Sequence, residues 1–385
     1  MNVYPNYSRV QRLRSARGLT QAELAEKLDM PASVFSRVLS GQLSVNDVDA
    51  RRLADILECR PDLLSRPTSD PLHTRPWLRA YADAPKKTVE QYLADTLLAS
   101  ECFDELRLKR LPERLPAFTG DLNDDNEIDE FATAVREAAD VDPVQAVPNV
   151  TRAAERLGCL VLPMDNELGK HLGMSLFVDG TPVIRVSRPS GDGSLPGDRQ
   201  RFTLAHELGH VTLHASCSPP ETANQARAIE KQAHRFASSF LLPGDSFLSD
   251  LDAVGGRVTL SSLARLKERW GVAIKAMVIR LQQLQRIDMD QARSLYKQIS
   301  SRGWNKDEPV EVGNERAVWL GKALSQRFPG EDPVAQAAER TGIRRSYFES
   351  WSAWEPAANA TVIQFEPRSS GPASRPLNSG SVSHL

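Results

Sequence analysis

The sequence predicts an α+β protein, mainly α, in which a five-helix N-terminal module precedes a larger helical domain with a small sheet. Three observations carry this expectation. Apolar stripes of helical period, punctuated by capping signals, run through residues 8–66. Two longer amphipathic patterns occupy residues 201–215 and 223–242. Short runs rich in β-branched residues, separated by turn residues, lie between positions 159 and 186.

In the N-terminal module, Val10 and Leu13 mark a first helix that Gly18 breaks. Thr20, with Glu23 three positions on, forms a capping box opening a second helix whose apolar face is Leu24, Ala25 and Leu28. Asp29-Met30-Pro31 makes a turn, and a third helix is expected to hold Val34, Val38 and Leu39 inward. Ser33, Ser36 and Arg37 then face outward near its start, where a recognition helix meets base edges. Leu53, Ile56, Leu57, Leu63 and Leu64 complete the small core.

Through Leu19-Thr20-Gln21-Ala22-Glu23-Leu24-Ala25 and Ser36-Arg37-Val38-Leu39-Ser40-Gly41 the segment resembles the Cro/C1-type (XRE) helix-turn-helix family. The resemblance implies that residues 1–66 are a domain binding double-stranded DNA through residues 8–66, with Gln21 on a phosphate. Acidic and basic residues nearly balance there, and the third helix carries one arginine, so a homodimer is expected to supply enough phosphate contacts. A small helical domain used for protein contact is the competing reading.

Residues 67–116 read as a proline-punctuated connector with one helix, opened by Thr88 with Gln91 in capping-box register. The acidic run at 121–129 superficially suggests a calcium loop. Its sixth position is Asn126 rather than glycine and its twelfth is Ala132 rather than glutamate, so an acidic helix start explains it better. Phe131, Val135 and Ala138 lie on that helix, and residues 150–157 form another. A strand follows at 159–162, and 174–178 with 183–186 read as a hairpin around Asp179-Gly180-Thr181-Pro182. Such strands would either pair with an extended substrate or only support the neighbouring helix.

The chemistry concentrates in His206-Glu207-Leu208-Gly209-His210. Two histidines four apart on a helix stack on one face, suiting two imidazole nitrogens to one zinc ion, and Glu207 is placed to take a proton from the attacking water. Leu204, Leu208, Val211 and Ala215 form the opposite stripe, with Phe202 and Leu213 as apolar shoulders. Peptide hydrolysis is the reaction implied. His214 lies two turns from His206, about 12 Å along the axis and too far for a shared ion, and reads as a helix-end residue or as a group supporting a ligand from behind.

The third ligand is expected on a second helix, residues 223–242, ended by Pro243-Gly244. Ala226, Ile229, Ala233, Phe236, Ala237 and Phe240 make its apolar face, and Glu230 sits at the border, where a carboxylate loses hydration unless a cation compensates. Glu230 is therefore assigned as the third ligand. His234, one turn on, reads either as a group that holds a ligand imidazole in its tautomer or as a histidine in a helix interface.

The run Arg201-Phe202-Thr203-Leu204-Ala205-His206-Glu207-Leu208-Gly209-His210, followed by Glu230-x-x-Ala233-His234-x-Phe236-Ala237 and Leu241-Leu242-Pro243, resembles the ImmA/IrrE family of metallo-endopeptidases over about residues 120–300. That resemblance implies a zincin-like metallopeptidase domain over 117–300, zinc held by His206, His210 and Glu230, and Glu207 as the base. The position of His234 usually carries asparagine in that family. Similar enzymes cleave helix-turn-helix repressors and so derepress stress-response or mobile-element genes, which implies such a repressor as protein substrate. Two rivals stand beside this reading: a DNA-binding regulator whose metal domain senses rather than cleaves, and a toxin–antitoxin component.

Residues 260–284 show two more helices split at Trp270-Gly271, a helix-turn-helix-like pair read as packing for the peptidase domain in preference to a second DNA contact. Residues 301–365 form a globular extension with no visible chemistry, and 366–385 read as a disordered Ser/Gly/Pro tail. With 48 Lys and Arg against 50 Asp and Glu, a uniformly basic nucleic-acid coat protein is excluded, and any DNA site must be local. The four cysteines form no CxxC pair and read as reduced thiols. The start lacks a signal sequence and no run is apolar enough to span a bilayer, so a cytoplasmic protein without a membrane partner is expected.

Overall fold

The N-terminal helices begin where their caps dictate. Asn6 accepts from the Arg9 amide at the head of α1 (Tyr7–Ala16), and Thr20 and Glu23 form the expected capping box on α2 (Gln21–Lys27). Asp29 takes a positive φ of 56° in the turn before α3 (Ala32–Leu39). On α3 the inward residues are Phe35, Val38 and Leu39, while Val34 is 37% exposed. The expected inner position thus moves by one residue: Phe35, Val38 and Leu39, spaced i, i+3 and i+4, share the face that neighbouring elements cover. After α4 (Asp47–Ile56), the fifth element is a short 3₁₀ helix, Pro61–Ser65.

This computed structural model describes residues 3–76, 85–165, 172–188 and 195–354. The expected tail at 366–385 lies outside them. α5 (Lys86–Glu105) starts behind Pro85 without a side-chain cap, so Thr88 sits inside the first turn and the expected box with Gln91 does not form. α6 (Asp125–Ala138) is capped by Asp124, which accepts from the Asn126 amide; the acidic run is thus a helix start. α7 (Val150–Leu157) ends at Gly158, whose φ of 102° and approach to the Pro112 carbonyl leave no room for a Cβ.

Three strands follow: β1 (Leu160–Met164), β2 (Gly173–Val178) and β3 (Thr181–Ser187). Their order is β1-β3-β2, parallel between β1 and β3 and antiparallel between β2 and β3. The hairpin turn is two residues, Asp179 and Gly180, both at positive φ, rather than the four expected. Nearly every strand residue is buried because both faces are covered. Val161, Ile184 and Val186 point toward α8 (Gly197–Leu213), α9 (Ala223–Leu241), α10 (Gly244–Ala253), α11 (Leu260–Trp270), α12 (Ile274–Gln283) and α13 (Met289–Ser301). α10 and α13 were not expected from the sequence. Residues α11 and α12 contribute, Leu263, Trp270, Met277 and Leu281 among them, lie in the same core as α8 and α9.

Leu160, Leu162, Met174, Leu176 and Val183 point to the other face, against α5 and the final helices α14 (Trp319–Arg327), α15 (Pro333–Thr341) and α16 (Arg345–Ser352). The N-terminal module shares this second core. Its link to the C-terminal helices is backbone to backbone: Arg60 N–H donates to the Gly342 carbonyl at 2.7 Å, and Arg344 N–H to the Glu58 carbonyl at 2.8 Å. Behind β3, the Arg185 guanidinium donates to Asp95 at 2.6 Å, and the Trp351 indole donates to the same carboxylate at 3.0 Å. Among the described residues no helix is long and apolar enough to cross a membrane, and all four cysteines are free thiols.

Candidate metal centre

α8 and α9 lie side by side because Gly209 lets them. A Cβ at Gly209 would sit 3.0 Å from the Phe236 ring and 3.2 Å from the Ala233 carbonyl, so a larger residue would push the helices apart. Leu204, Leu208 and Val211 anchor the rear of α8 in the core; Ala215, expected in the same stripe, falls beyond the helix end and is exposed.

This close approach brings three side chains from two segments together. His206 Nε2 lies 3.1 Å from His210 Nε2, and the Glu230 carboxylate oxygens lie 3.4 Å from His206 Nε2 and 3.6 Å from His210 Nε2. Ligands about 2.0–2.1 Å from a tetrahedral ion stand about 3.3 Å from one another, so the triangle has the dimensions of one tetrahedral face. The donor set, two imidazoles and a carboxylate, fits a divalent zinc-type cation. Burial alone would raise the Glu230 carboxyl, but hydrogen bonding and charge from His206 and His210 outweigh it and hold it well below the usual carboxylate range.

Glu207 is 4% exposed and accepts a 2.6 Å hydrogen bond from Ser175 Oγ on β2. Burial, reinforced by the negative charge of Glu230, pushes its carboxyl up to about 8, with Ser175 pulling the other way. Ser175 reaches it because alternate residues of β2 face α8, and because Gly173 has no Cβ to strike Thr203 and Glu207, which would lie within 3.0 Å. Ser175 escaped the sequence reading: a serine in a strand, 32 positions from its partner, carries no spacing signal.

A relay runs behind His210. His210 Nδ1 lies 3.1 Å from His214 Nδ1, and His214 Nε2 lies 3.0 Å from Gln232 Oε1 on α9. Burial, aided by the neighbouring His210, lowers the His214 pKa to about 3, so this imidazole stays neutral and its Nδ1 can accept. With the proton on His210 Nδ1, the Nε2 lone pair of His210 faces Glu230 and His206, as a ligand requires. His214 thus stands behind a ligand-type imidazole rather than beside the ion, one of the two places its i, i+4 step from His210 allows. His234 packs its ring 4.5 Å from the His206 ring and 5.7 Å from Phe202.

On the N-terminal module, Gln21 at the start of α2 and Ser33, Ser36 and Arg37 on α3 are all exposed.

Residues 154–282 match the family model described as the IrrE N-terminal-like domain, and residues 8–66 match one described as a helix-turn-helix domain. No curated protein matches the chain. The chain therefore carries an N-terminal helix-turn-helix domain, which suggests DNA binding, and a metallopeptidase-like domain of the ImmA/IrrE type.

Proposed function

We propose that the chain is a regulatory zinc endopeptidase of the HExxH type, with His206, His210 and Glu230 as metal ligands and Glu207 as general base. The observation that supports it most is the Nε2–Nε2–carboxylate triangle of 3.1, 3.4 and 3.6 Å on a face shared with a buried carboxylate. Zinc held there would acidify water and polarise the scissile carbonyl. Glu207 takes a proton from the attacking water and delivers it to the leaving amine nitrogen. Ser175 fixes the Glu207 carboxylate by donating to one oxygen. The neutral His214 holds the proton on the far nitrogen of His210. An extended substrate strand adds to the outer edge of β2, beside Ser175.

A helix-turn-helix repressor is the substrate the family resemblance favours, with the N-terminal domain bringing the enzyme to DNA. Zinc analysis tests the ligand set directly. Wild-type protein should retain one equivalent after gel filtration, and Glu230→Gln should bind about 100-fold more weakly or worse, since even outer groups of such sites cost 10–100-fold. Equal zinc retention by both proteins would remove Glu230 from the site.

The DNA assignment rests on Arg37, the one cation on α3 and exposed. Arg37→Ala should weaken a band-shift with the protein's own promoter by about 1–3 kcal/mol. Unchanged binding would move the DNA contact away from α3.

A further inference from the structure

The outer edge of β2, where the proposed substrate strand would lie, already has an occupant. The segment after the N-terminal domain pairs with it antiparallel, His73 opposite Val178. Leu72 N–H donates to Asp179 Oδ1 at 2.8 Å, and Asp179 N–H donates to the Leu72 carbonyl at 2.7 Å. Thr74 N–H donates to the Phe177 carbonyl at 3.0 Å, and Phe177 N–H donates to Thr74 Oγ1, also at 3.0 Å.

Strand alternation makes this more than an edge contact. The amide and carbonyl of Phe177 face outward, so those of Ser175 and Gly173, two and four residues back, face the same way. Those two residues flank Glu207: Ser175 donates to its carboxylate, and Gly173 is where a Cβ would strike it. The register that sets His73 opposite Val178 would carry Pro76, which is buried, opposite Ser175. Proline has no N–H to give, so at this position the segment offers no ladder donor beside the Glu207 carboxylate.

We propose that residues 72–76 are an intrasteric strap: the chain's own segment holds the β2 edge as a substrate strand would, and substrate must displace it to bind. The proposal rests on the peptidase reading above for its consequence but not for its geometry. The strap starts five residues after Pro67, whose carbonyl accepts from Arg9 on α1 at 2.6 Å, so the occluding segment is tethered to the helix-turn-helix domain.

Two measurements on the full-length chain test it. The first probe is a fluorescein-labelled peptide of residues 69–76, added to Glu207→Gln protein so that nothing is cut. Thr74→Pro deletes both strap contacts to Phe177, and in that background the probe should bind about tenfold or more tightly than with the strap intact. With Glu207 present, Thr74→Pro should lower KM for unfolded casein by a similar factor and leave kcat unchanged. Equal probe affinity, or an unchanged KM, would reduce the segment to a plain edge cover and overturn the proposal. Failure of zinc-loaded wild-type and Thr74→Pro proteins alike to cleave casein would instead sink the peptidase reading while the probe result stood.

The second measurement avoids any change in the strap. On saturating Glu207→Gln protein with the probe, the amides of Leu72 and Thr74 should exchange with deuterium faster while those of Phe177 and Asp179 stay protected. No change at Leu72 and Thr74 would show that the probe does not replace the strap.

Discussion

Glu207→Gln should lower turnover of an unfolded protein substrate about 10²–10⁴-fold while zinc content stays at the wild-type level. Glutamine has the shape of glutamate, and its carbonyl oxygen can still accept from Ser175 Oγ, so the local packing should hold. What disappears is the ability to take a proton. A neutral amide avoids the cost of burying a charge at this site, so the melting temperature should be unchanged or slightly higher. Metal analysis, cleavage and melting on one preparation separate the cases. Loss of zinc along with activity would make Glu207 a structural support; equal cleavage by both proteins would end its role as base.

Asp95→Ala should destabilise the protein by about 3–5 kcal/mol in urea unfolding. The Arg185 guanidinium is 1% exposed and donates to Asp95 and, through Nε, to Thr96 Oγ1 at 2.9 Å. Removing the carboxylate strands that buried charge and also deprives the Trp351 indole of its acceptor. The penalty belongs to the broken pair rather than to the absence of charge. A double variant, Asp95→Ala with Arg185→Met, should therefore recover most of the loss. A single-variant cost below about 1 kcal/mol would show that water reaches the pair and that it does not hold α5, β3 and α16 together.

How far the sequence reveals this molecule depends on the range of the interaction. α8 and α9 are legible because their apolar faces repeat at the helical period, and Glu230 stands out as a charge at the edge of such a face. The Thr20 capping box is legible because its two partners are three residues apart. Legibility fails where the deciding contact is distant. Ser175 and Glu207 meet across a strand and a helix, Asp95 and Arg185 are 90 positions apart, and the pairing of Leu72 with Asp179 spans 107. No local pattern encodes such pairs. The choice between Val34 and Phe35 fails differently, since adjacent helix positions differ by about 100° and only the neighbouring elements decide which is covered.

The backbone clasp between residues 58–60 and 342–344 has a practical corollary for dissecting this chain. Leu57 accepts from the buried Tyr347 hydroxyl, and Cys59 and Leu63 lie in a core completed by residues more than 250 positions downstream. A fragment cut after Arg66 would present that apolar seam to solvent and would be expected to aggregate or to need an added C-terminal piece for solubility. The helix-turn-helix domain is thus not portable: shortening the protein from its far end should loosen its beginning.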